Sequence, residues 1–398
     1  MPAPQILLSA GEASGDMYAA RLAAALKART NTTIFGMGGD QMRSAGVEVI
    51  TDYSEVSVLG ITEILSHLPQ LVRAMRKLVD TTRERRPQLA ILTDFPGFHL
   101  RLARKLKPLG VRNVYYICPQ FWAWRPWRVR IVRRRFVLAL CIFPFEEKFF
   151  GDAGVPVKFI GHPLVGNVAP SQGREQFFAE YGLHPAMPLV TILPGSRSSE
   201  LARHLSLLRE ACVKIHNAMP VQFVVAAAPG RAESLRQGWP SDLKVAVAEG
   251  RTYDALAHAN ASIVSSGTAT VEAALLDAPM VVVYRVTPLT ALLAKPLVRT
   301  KHFSMVNLIA GREVVPELIQ KDFTPHKVAE QTLRLLRDPA AASVMRADLA
   351  EVRRKLGPPG AVERAANAIA ALLSKPETQR QGSLSPVDQG VKLSGNAS

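Results

Sequence analysis

Residues 5–16 read QILLSAGEASGD, an apolar run of strand length followed by a turn that contains two glycines. A helical pattern then continues to about Lys27. Further apolar runs of strand length lie at 33–36, 89–93, 114–117 and 138–143. This alternation of strands and helices predicts a parallel, doubly wound α/β sheet, in which ligands bind beyond the carboxyl ends of the strands.

A second series of the same kind follows residues 161–167, GHPLVGN, which indicate an interdomain connection. Its strand-like runs lie at 190–193, 222–226, 262–264 and 280–284. We therefore predict two Rossmann-like domains, residues 1–165 and 166–355, whose parallel sheets face each other across a cleft. Residues 356–374 are expected to form a helix that crosses back to the first domain. The Gln-, Ser- and Gly-rich residues 375–398 are expected to form a disordered tail.

The composition bounds the kind of partner. The chain has 398 residues, 48% of them hydrophobic, a formal net charge of +16 and a pI of about 10.1. Such a charge indicates an acidic partner, which could be nucleic acid, anionic lipid or a phosphorylated small molecule. No apolar run is long enough to span a membrane, and no signal peptide is expected at the N-terminus. The scattered cysteines, Cys118, Cys141 and Cys212, predict reduced core thiols in a cytoplasmic protein.

The strongest local signal is the turn Leu193-Pro194-Gly195-Ser196-Arg197, which ends a strand and leads into a helix. Gly195 permits a close approach to the backbone, Ser196 offers a hydroxyl, and Arg197 offers a guanidinium that matches phosphate oxygens. The alternative is an ordinary strand-to-helix turn with a solvated arginine.

A matching turn follows the run at 262–264 and contains Ser265, Ser266, Gly267 and Thr268. Free amides at the start of a helix, together with these hydroxyls, predict a diphosphate site. Glu272, one turn further on, is positioned to accept hydrogen bonds from the ribose hydroxyls. The alternative is a simple capping box. The presence of two such turns in one domain favours a nucleotide diphosphate.

The first domain has acidic residues at the corresponding positions. The turn after the first strand carries Glu12, Ser14 and Asp16, which suit sugar hydroxyls better than phosphate. Asp94 follows the strand at 89–93 and is a candidate general base. The alternatives are a tight turn with Asp16 near a helix N-terminus and an Asp94 side chain that only caps the next helix. His99 is either a second titrating group or, as is more usual for a lone histidine in such a place, structural.

Two segments are candidates for an acidic surface. Residues 119–135 combine tryptophans with arginines, including Trp122, Trp124, Arg125 and Arg128. This mixture suits an anionic lipid interface or single-stranded nucleic acid; the alternative is a core tryptophan cluster beside a solvated basic helix. The apolar loop that contains Leu59 and Ile61, with the amphipathic helix after it, also predicts membrane adsorption, although a core-facing helix shows the same stripe.

No Asp-x-Asp motif and no cluster of histidine and cysteine at metal spacing occurs in the sequence. We therefore expect no metal and no cofactor. Arg197 and the helix N-terminus at Gly267 would then stabilise the charge of a leaving diphosphate.

Taken together and in order, these motifs resemble the lipid-A-disaccharide synthase family over residues 5–370. The motifs that carry the resemblance are Gly11 to Asp16, Gly36 to Gly39, Asp94 to Phe98, Trp122 to Arg125, Leu193 to Arg197, Ser266 to Thr268 and Asn307 to Glu313. The resemblance implies a GT-B fold and an inverting transfer from UDP-2,3-diacylglucosamine to 2,3-diacylglucosamine 1-phosphate (lipid X). The product would be a β-1,6-linked disaccharide 1-phosphate, in lipid A biosynthesis.

The resemblance also implies roles for individual residues. Asp94 matches the family's base and Arg197 its diphosphate-binding arginine, and Glu272 and Asn307 match nucleotide-site positions. The chain departs from the family pattern at His99 (usually asparagine), Cys118 (often serine) and Val306 (often proline).

A lipid-borne substrate implies a protein at the inner face of the cytoplasmic membrane, bound to its anionic surface and not to nucleic acid. Two alternatives stay open: a UDP-sugar epimerase on the same fold, and a basic nucleic-acid-binding protein. The sequence predicts no particular oligomeric state.

Overall fold

The computed structural model describes residues 3–55, 68–287, 290 and 300–374, and these residues form two α/β domains. The first domain contains β1 (Gln5–Ala10), α1 (Ala13–Lys27), β2 (Thr33–Gly38), α2 (Asp40–Ser44), β3 (Glu48–Asp52), α3 (Leu68–Arg85), β4 (Leu89–Thr93), α4 (Pro96–Leu106), β5 (Arg112–Tyr116), α5 (Phe121–Trp124), α6 (Val129–Arg135), β6 (Leu138–Cys141), α7 (Pro144–Asp152) and β7 (Val157–Phe159).

The second domain contains α8 (Arg174–Glu180), β8 (Leu189–Leu193), α9 (Ser198–Ala218), β9 (Gln222–Ala227), α10 (Ala232–Arg236), β10 (Val245–Glu249), α11 (Thr252–Ala257), β11 (Ala261–Ser265), α12 (Thr268–Leu275), β12 (Met280–Tyr284), α13 (Met305–Ala310), β13 (Glu317–Ile319), α14 (Pro325–Arg337) and α15 (Pro339–Lys355). A last helix, α16 (Ala361–Leu373), follows. Short 3-10 helices occupy Tyr53–Glu55, Lys107–Leu109, Pro126–Arg128 and Gln320–Asp322.

Both sheets are parallel throughout the described residues. The first has the strand order β3-β2-β1-β4-β5-β6-β7, and the second has β10-β9-β8-β11-β12-β13. The inner strands are apolar along their length because helices cover both faces of each sheet; every residue of β4, β8 and β11 is buried. The predicted doubly wound architecture is confirmed.

The strands β1 and β2 approach each other closely at Gly36. Its φ is +155°, and a Cβ atom built there would lie 1.9 Å from the carbonyl oxygen of Leu8. The register of β2 against β3 also shifts between Gly36 and Met37. Only glycine permits this approach, which explains the first glycine of the run at 36–39.

The chain passes between the domains at two places that touch each other. After β7 it crosses to the second domain, and after α15 it returns. The amide of His162 on the first crossing donates to the carbonyl oxygen of Leu356 on the second, at 2.9 Å. The Arg364 Nε donates to the carbonyl oxygen of Ile160 at 2.7 Å. The last helix then packs on α1 of the first domain, where Arg29 Nε donates to Asn367 Oδ1 at 3.0 Å.

The three cysteines are buried and unpaired. None of the helices in the described ranges is long and apolar enough to cross a bilayer.

Candidate active site

The first half of the candidate site lies where β1 and β4, which are neighbours in the sheet, end side by side. The chain leaves this point toward opposite edges of the sheet, and a crevice therefore opens between the strand ends. Glu12 follows β1 and is exposed, and Asp94 follows β4 and is partly buried. Burial, and then the charge of Glu12, raise the pKa of the Asp94 carboxyl to about 6. Such a carboxyl suits a general base near neutral pH.

The backbone at Asp94 is left-handed at two successive residues. The φ angles are 48° at Asp94 and 44° at Phe95, in a region that non-glycine residues rarely adopt. The residue that caps α4 is Phe95, and no side chain accepts a capping hydrogen bond there. The alternative in which Asp94 only caps the next helix is therefore not what the structure shows.

The loops after β1 and β4 are packed together by an aromatic ring. A Cβ atom at Gly11 would lie 2.2 Å from Cδ1 of Phe95. The Phe95 ring thus lies directly over the backbone of Gly11, and no larger residue fits at that position. This contact fixes the Glu12 loop relative to the Asp94 loop.

The acidic residues of the first turn differ in their surroundings. Ser14 is exposed, as a contact for an acceptor requires. Asp16 is only 2% exposed, and its carboxylate accepts hydrogen bonds from the amides of Gly39 (2.7 Å) and Gln41 (3.1 Å) at the start of α2. The predicted acceptor contact of Asp16 therefore needs correction: the carboxylate holds α2 and the glycine turn before it.

The second half of the site is a cavity of about 380 Å³ between the ends of β8 and β11. These strands are also neighbours at the point where the strand order reverses, and the volume is in the range of ligand sites. The predicted nucleotide-binding residues that line it are Gly195, Ser196, Arg197, Ser265, Ser266, Gly267, Thr268 and Glu272.

The turn after β8 is organised by a carboxylate that the sequence analysis missed. Glu200 accepts hydrogen bonds from the amides of Ser196 (3.0 Å) and Arg197 (3.2 Å). A Cβ atom at Gly195 would lie 2.6 Å from Oε2 of Glu200. These amides are therefore occupied, and the group that the turn offers to a ligand is the Arg197 guanidinium, whose side chain is 69% exposed.

The turn after β11 presents free amides instead. Gly267 has a φ of +153° and precedes α12, and the amides of Gly267 and Thr268 have no acceptor within the described residues. Glu272 lies on the same helix and accepts a hydrogen bond from the Tyr253 hydroxyl at 3.2 Å. Burial raises the pKa of Glu272, and Tyr253 is a further residue that the sequence analysis did not single out.

Asn307 does not line the cavity. Its side chain is fully buried and binds the amides of Val314 (2.7 Å) and Val315 (3.0 Å) and a carboxylate oxygen of Glu317 (2.8 Å). Glu317 in turn accepts from the amide of Phe303, whose carbonyl oxygen accepts from the Ser266 hydroxyl at 3.1 Å. Asn307 therefore supports the turn after β11 from behind, through Glu317 and Phe303. It does not make the predicted nucleotide contact.

The two halves face each other. The charge of Glu272 in the second domain contributes, after burial, to a Tyr18 pKa of about 12, and Tyr18 belongs to α1 of the first domain. The Nε2 of Gln120, in the first domain, lies 3.7 Å from the sulfur of Met305 in the second. The half that contains Asp94 and the half that contains Arg197 therefore border one cleft.

The segment of tryptophan and arginine residues is partly anchored and partly exposed. Trp122 donates to the buried carboxyl of Glu146 at 3.1 Å, and burial raises the pKa of Glu146 to about 8. Trp124 and Trp127 are 43% and 54% exposed, and the guanidinium of Arg125 lies 4.7 Å from the centre of the Trp124 ring. The core-cluster alternative thus holds for Trp122 only.

The arginines of this segment lie among other positive charges. Burial, followed by the charges of Arg125 and Arg101, lowers the pKa of Arg128. Arg125 and Arg128 of the segment and Arg101 on α4 form no ion pair within the described part of the chain. The predicted membrane residues Leu59 and Ile61 lie outside the described residues, but Leu68 and Val72 on α3 are 50% and 42% exposed.

Functional residues that the sequence analysis missed are carboxylates and tyrosines inside helices and strands. They are Glu146, Glu200, Tyr253 and Tyr115, and the Tyr115 hydroxyl donates to the carbonyl oxygen of Asp94 at 3.0 Å. None of them belongs to a motif, and only their contacts in the folded chain identify them. Among the described residues, no group of three or more histidine, cysteine, aspartate or glutamate side chains is arranged to hold a metal.

The sequence is similar to one known protein family over almost its whole length. A model of the lipid-A-disaccharide synthetase family matches residues 6–371. The lipid-A-disaccharide synthase of Solibacter usitatus is 46% identical over 372 residues, which are 93% of this chain and 98% of that protein.

Solved structures are similar in fold at much lower identity. The glycosyltransferase of kitacinnamycin has a TM-score of 0.63 and 17% identity, with 93% of this chain and 99% of that one covered. The UDP-GlcNAc 2-epimerase of Neisseria meningitidis bound to UDP-GlcNAc has a TM-score of 0.57 and 12% identity, with 93% and 99% covered. The fold is therefore the expected GT-B arrangement. Transferases and epimerases share this fold, and the fold alone does not distinguish them. The sequence relationship does, and it favours the transferase over the epimerase and over the nucleic-acid-binding protein.

Proposed function

The chain belongs to the lipid-A-disaccharide synthase family, and from this premise we propose its reaction and the residues that carry it. The enzyme transfers 2,3-diacylglucosamine from UDP-2,3-diacylglucosamine to lipid X. A bond forms between the 6-hydroxyl oxygen of lipid X and the anomeric carbon of the donor, the bond from that carbon to the diphosphate breaks, and UDP leaves. The configuration inverts, which gives the β-1,6 linkage.

One observation supports the assignment of roles: a carboxyl with a raised pKa and a cavity lined by Arg197 and by the start of α12 border the same cleft from opposite domains. In a single displacement, the nucleophile and the leaving group lie on opposite sides of the reacting carbon. A base in one domain and a diphosphate site in the other fit this geometry.

Asp94 takes the proton of the acceptor 6-hydroxyl. Its pKa of about 6 leaves it largely ionised at neutral pH, yet it is basic enough to share the proton in the transition state. Glu12, exposed on the neighbouring turn, assists by keeping that pKa raised and by contacting the acceptor sugar, for which Ser14 offers a further hydroxyl.

The negative charge of the departing UDP is stabilised from the other side. Arg197 offers a guanidinium, and the amides at the start of α12, from Gly267 and Thr268, point to the same anion. Glu272 binds the ribose hydroxyls. Donors that are already in place where charge develops contribute strongly to catalysis. Arg197 and these amides thus stabilise the leaving group. We propose that the reaction proceeds without a metal or another cofactor.

The lipid chains of both substrates require a membrane surface, and the segment from Trp122 to Arg128 provides one. The exposed Trp124 and Trp127 rings would insert at the headgroup level, while Arg125 and Arg128 would bind anionic headgroups or the acceptor phosphate. This segment joins β5 to β6, on the same sheet as Asp94. It would therefore deliver a lipid-borne acceptor to the base.

The test is a product analysis by mass spectrometry after UDP-2,3-diacylglucosamine and lipid X are mixed with the purified protein, with and without EDTA. We expect the disaccharide 1-phosphate and UDP in both cases. Asp94→Asn should abolish turnover and leave the affinity for UDP, measured by calorimetry, unchanged. Arg197→Ala should lower both. Asp152→Asn, an exposed carboxylate in the first domain, is the matched control with normal turnover.

A near-native rate of the Asp94→Asn variant would remove Asp94 as the base. Conversion of the UDP-sugar in the absence of lipid X would indicate an epimerase, and loss of turnover with EDTA that added metal restores would overturn the metal-free mechanism.

A further inference from the structure

A buried histidine connects the two loops that form the first half of the site. His99 lies on α4 and has no exposed surface. Its Nδ1 is 2.8 Å from the backbone carbonyl oxygen of Asp94, and its Nε2 is 2.8 Å from the hydroxyl of Ser9. Ser9 belongs to β1, two residues before the glycine turn that carries Glu12.

The partners of the ring determine its tautomer. A carbonyl oxygen only accepts hydrogen bonds, and Nδ1 must therefore carry the proton. Nε2 is then an acceptor, and the Ser9 hydroxyl donates to it. Burial lowers the pKa of His99 to about 4, and the ring stays neutral throughout the range in which Asp94 titrates.

The bond from Nδ1 acts on the strained part of the backbone. The oxygen that it holds belongs to the peptide between Asp94 and Phe95, both of which have left-handed φ values. A residue other than glycine is strained in this region and persists there only where its surroundings fix it. Holding this oxygen fixes ψ of Asp94 and φ of Phe95, and with them the direction of the Asp94 side chain.

A second donor and a packing contact hold the same peptide. The Tyr115 hydroxyl donates to the same oxygen at 3.0 Å, and the Phe95 ring lies over Gly11. We propose that His99, together with Tyr115, is a positioning residue for the base: it keeps the left-handed turn in place, and the Asp94 carboxyl therefore stays half-buried beside Glu12. His99 does not touch substrate. This inference rests on the proposed role of Asp94.

The expected effect of releasing the turn is a change in the titration of Asp94. A carboxyl that is free to turn toward water becomes hydrated, which favours its charged form. Its pKa then falls toward the ordinary value of 3.8. The titratable groups that face the loop are Glu12, Tyr115, Cys118 and Glu146. None of them is altered in a His99 variant.

The experiment compares His99→Leu, His99→Asn and Tyr115→Phe with the full-length enzyme. Its readouts are kcat as a function of pH, the affinity for UDP, and the titration of Asp94 followed by NMR with ¹³C-labelled aspartate, assigned with Asp94→Asn. We expect His99→Leu to lower kcat about tenfold to a hundredfold and to shift the Asp94 titration to lower pH, with unchanged affinity for UDP. His99→Asn should recover part of both effects because its amide can donate to the same oxygen.

The matched control is Asn113→Leu. Asn113 is buried in the same domain and donates to the carbonyl oxygens of Ala103 (3.2 Å) and Arg135 (3.0 Å), away from the turn. It should lower Tm without moving the Asp94 titration. The proposal is overturned if Asp94 titrates normally in both His99→Leu and Tyr115→Phe, each of which removes one donor to this oxygen and keeps an apolar side chain in the core, or in Tyr115→Phe alone if His99→Leu does not fold. A shifted titration with an unchanged rate would uphold the positioning role and refute Asp94 as the base.

Discussion

The raised pKa of the Asp94 carboxyl has a direct kinetic consequence at the scale of single residues. Burial and the Glu12 charge raise this pKa to about 6, and a general base acts only in its ionised form. The ionised fraction grows as pH rises. Activity should therefore be low in acid and rise through about pH 6.

The measurement is kcat/KM for lipid X as a function of pH, for the native enzyme and for Glu12→Gln. Removal of the Glu12 charge lowers the pKa of Asp94, and the acid limb should move to lower pH even where the maximal rate falls. An acid limb at the same pH in both enzymes would show that another group controls the reaction.

Single residues were predictable from the sequence where a strand end and a turn defined their place. Asp94 and Arg197 follow apolar runs, so that their position at the cleft followed from the parallel sheet. Their electrostatic surroundings were not predictable, because the pKa of Asp94 depends on its burial and then on the charge of Glu12, which is more than eighty residues away in the chain. Asp16 illustrates the limit: its carboxylate is taken by amides of a helix that the sequence did not indicate.

At the scale of elements, the exposed part of the tryptophan and arginine segment is the candidate lipid contact. Trp124 and Trp127 together should contribute strongly to binding, since large aromatic rings favour the headgroup region. We expect the double variant Trp124→Ala, Trp127→Ala to sediment about tenfold less with vesicles that contain phosphatidylglycerol. Arg125→Ala with Arg128→Ala should weaken binding most at low salt, because each basic residue contributes about 1 kcal/mol near such a surface.

Val344→Ala is the control for vesicle binding. Val344 lies on α15 of the second domain and is 62% exposed, and its loss should leave sedimentation unchanged. Equal binding of the native and the double tryptophan variant would assign membrane contact to a different part of the chain.

The strands that the sequence analysis missed have one property in common. The strands β3, β7, β10 and β13 are the edges of their sheets. An edge strand has one partner and an open side, which favours short and polar sequences. Glu48–Asp52 and Val157–Phe159, for example, have no fully buried apolar run. The apolar pattern therefore predicted the inner strands and not the edges.

At the scale of the whole molecule, the last helix is a part of the first domain. Its buried residues are Ala361, Val362, Ala365, Ala366 and Ile369, and it packs on α1. Burial of a valine or isoleucine side chain contributes about 1.5–3 kcal/mol. A chain that ends at residue 360 should therefore lose several degrees of Tm or fail to fold.

A chain that ends at residue 374 is the matched control, and we expect its Tm and its turnover to equal those of the full chain. Differential scanning calorimetry measures both variants. A large loss of Tm in the longer variant would contradict the prediction that residues 375–398 are a disordered, neutral tail.

Two βα series in the sequence were enough to predict two sheets, and the fold comparison confirmed the GT-B arrangement. The way the two sheets meet was not predictable from those patterns. It depends on contacts such as the one between His162 and Leu356, which join residues far apart in the chain and carry no local signature.

Because the two crossings between the domains touch each other, any rotation of one domain against the other would take place about these two segments. Asp94 and Arg197 lie in different domains and outside the connecting segments. A small rotation about these segments would therefore change the distance between the two side chains. A Cβ atom built at Gly357 would lie 3.3 Å from the Cα atom of Gly161, and substitutions at this point would therefore alter the distance between Asp94 and Arg197. Adaptation to lipids of different bulk could arise there without any change in the residues that touch them.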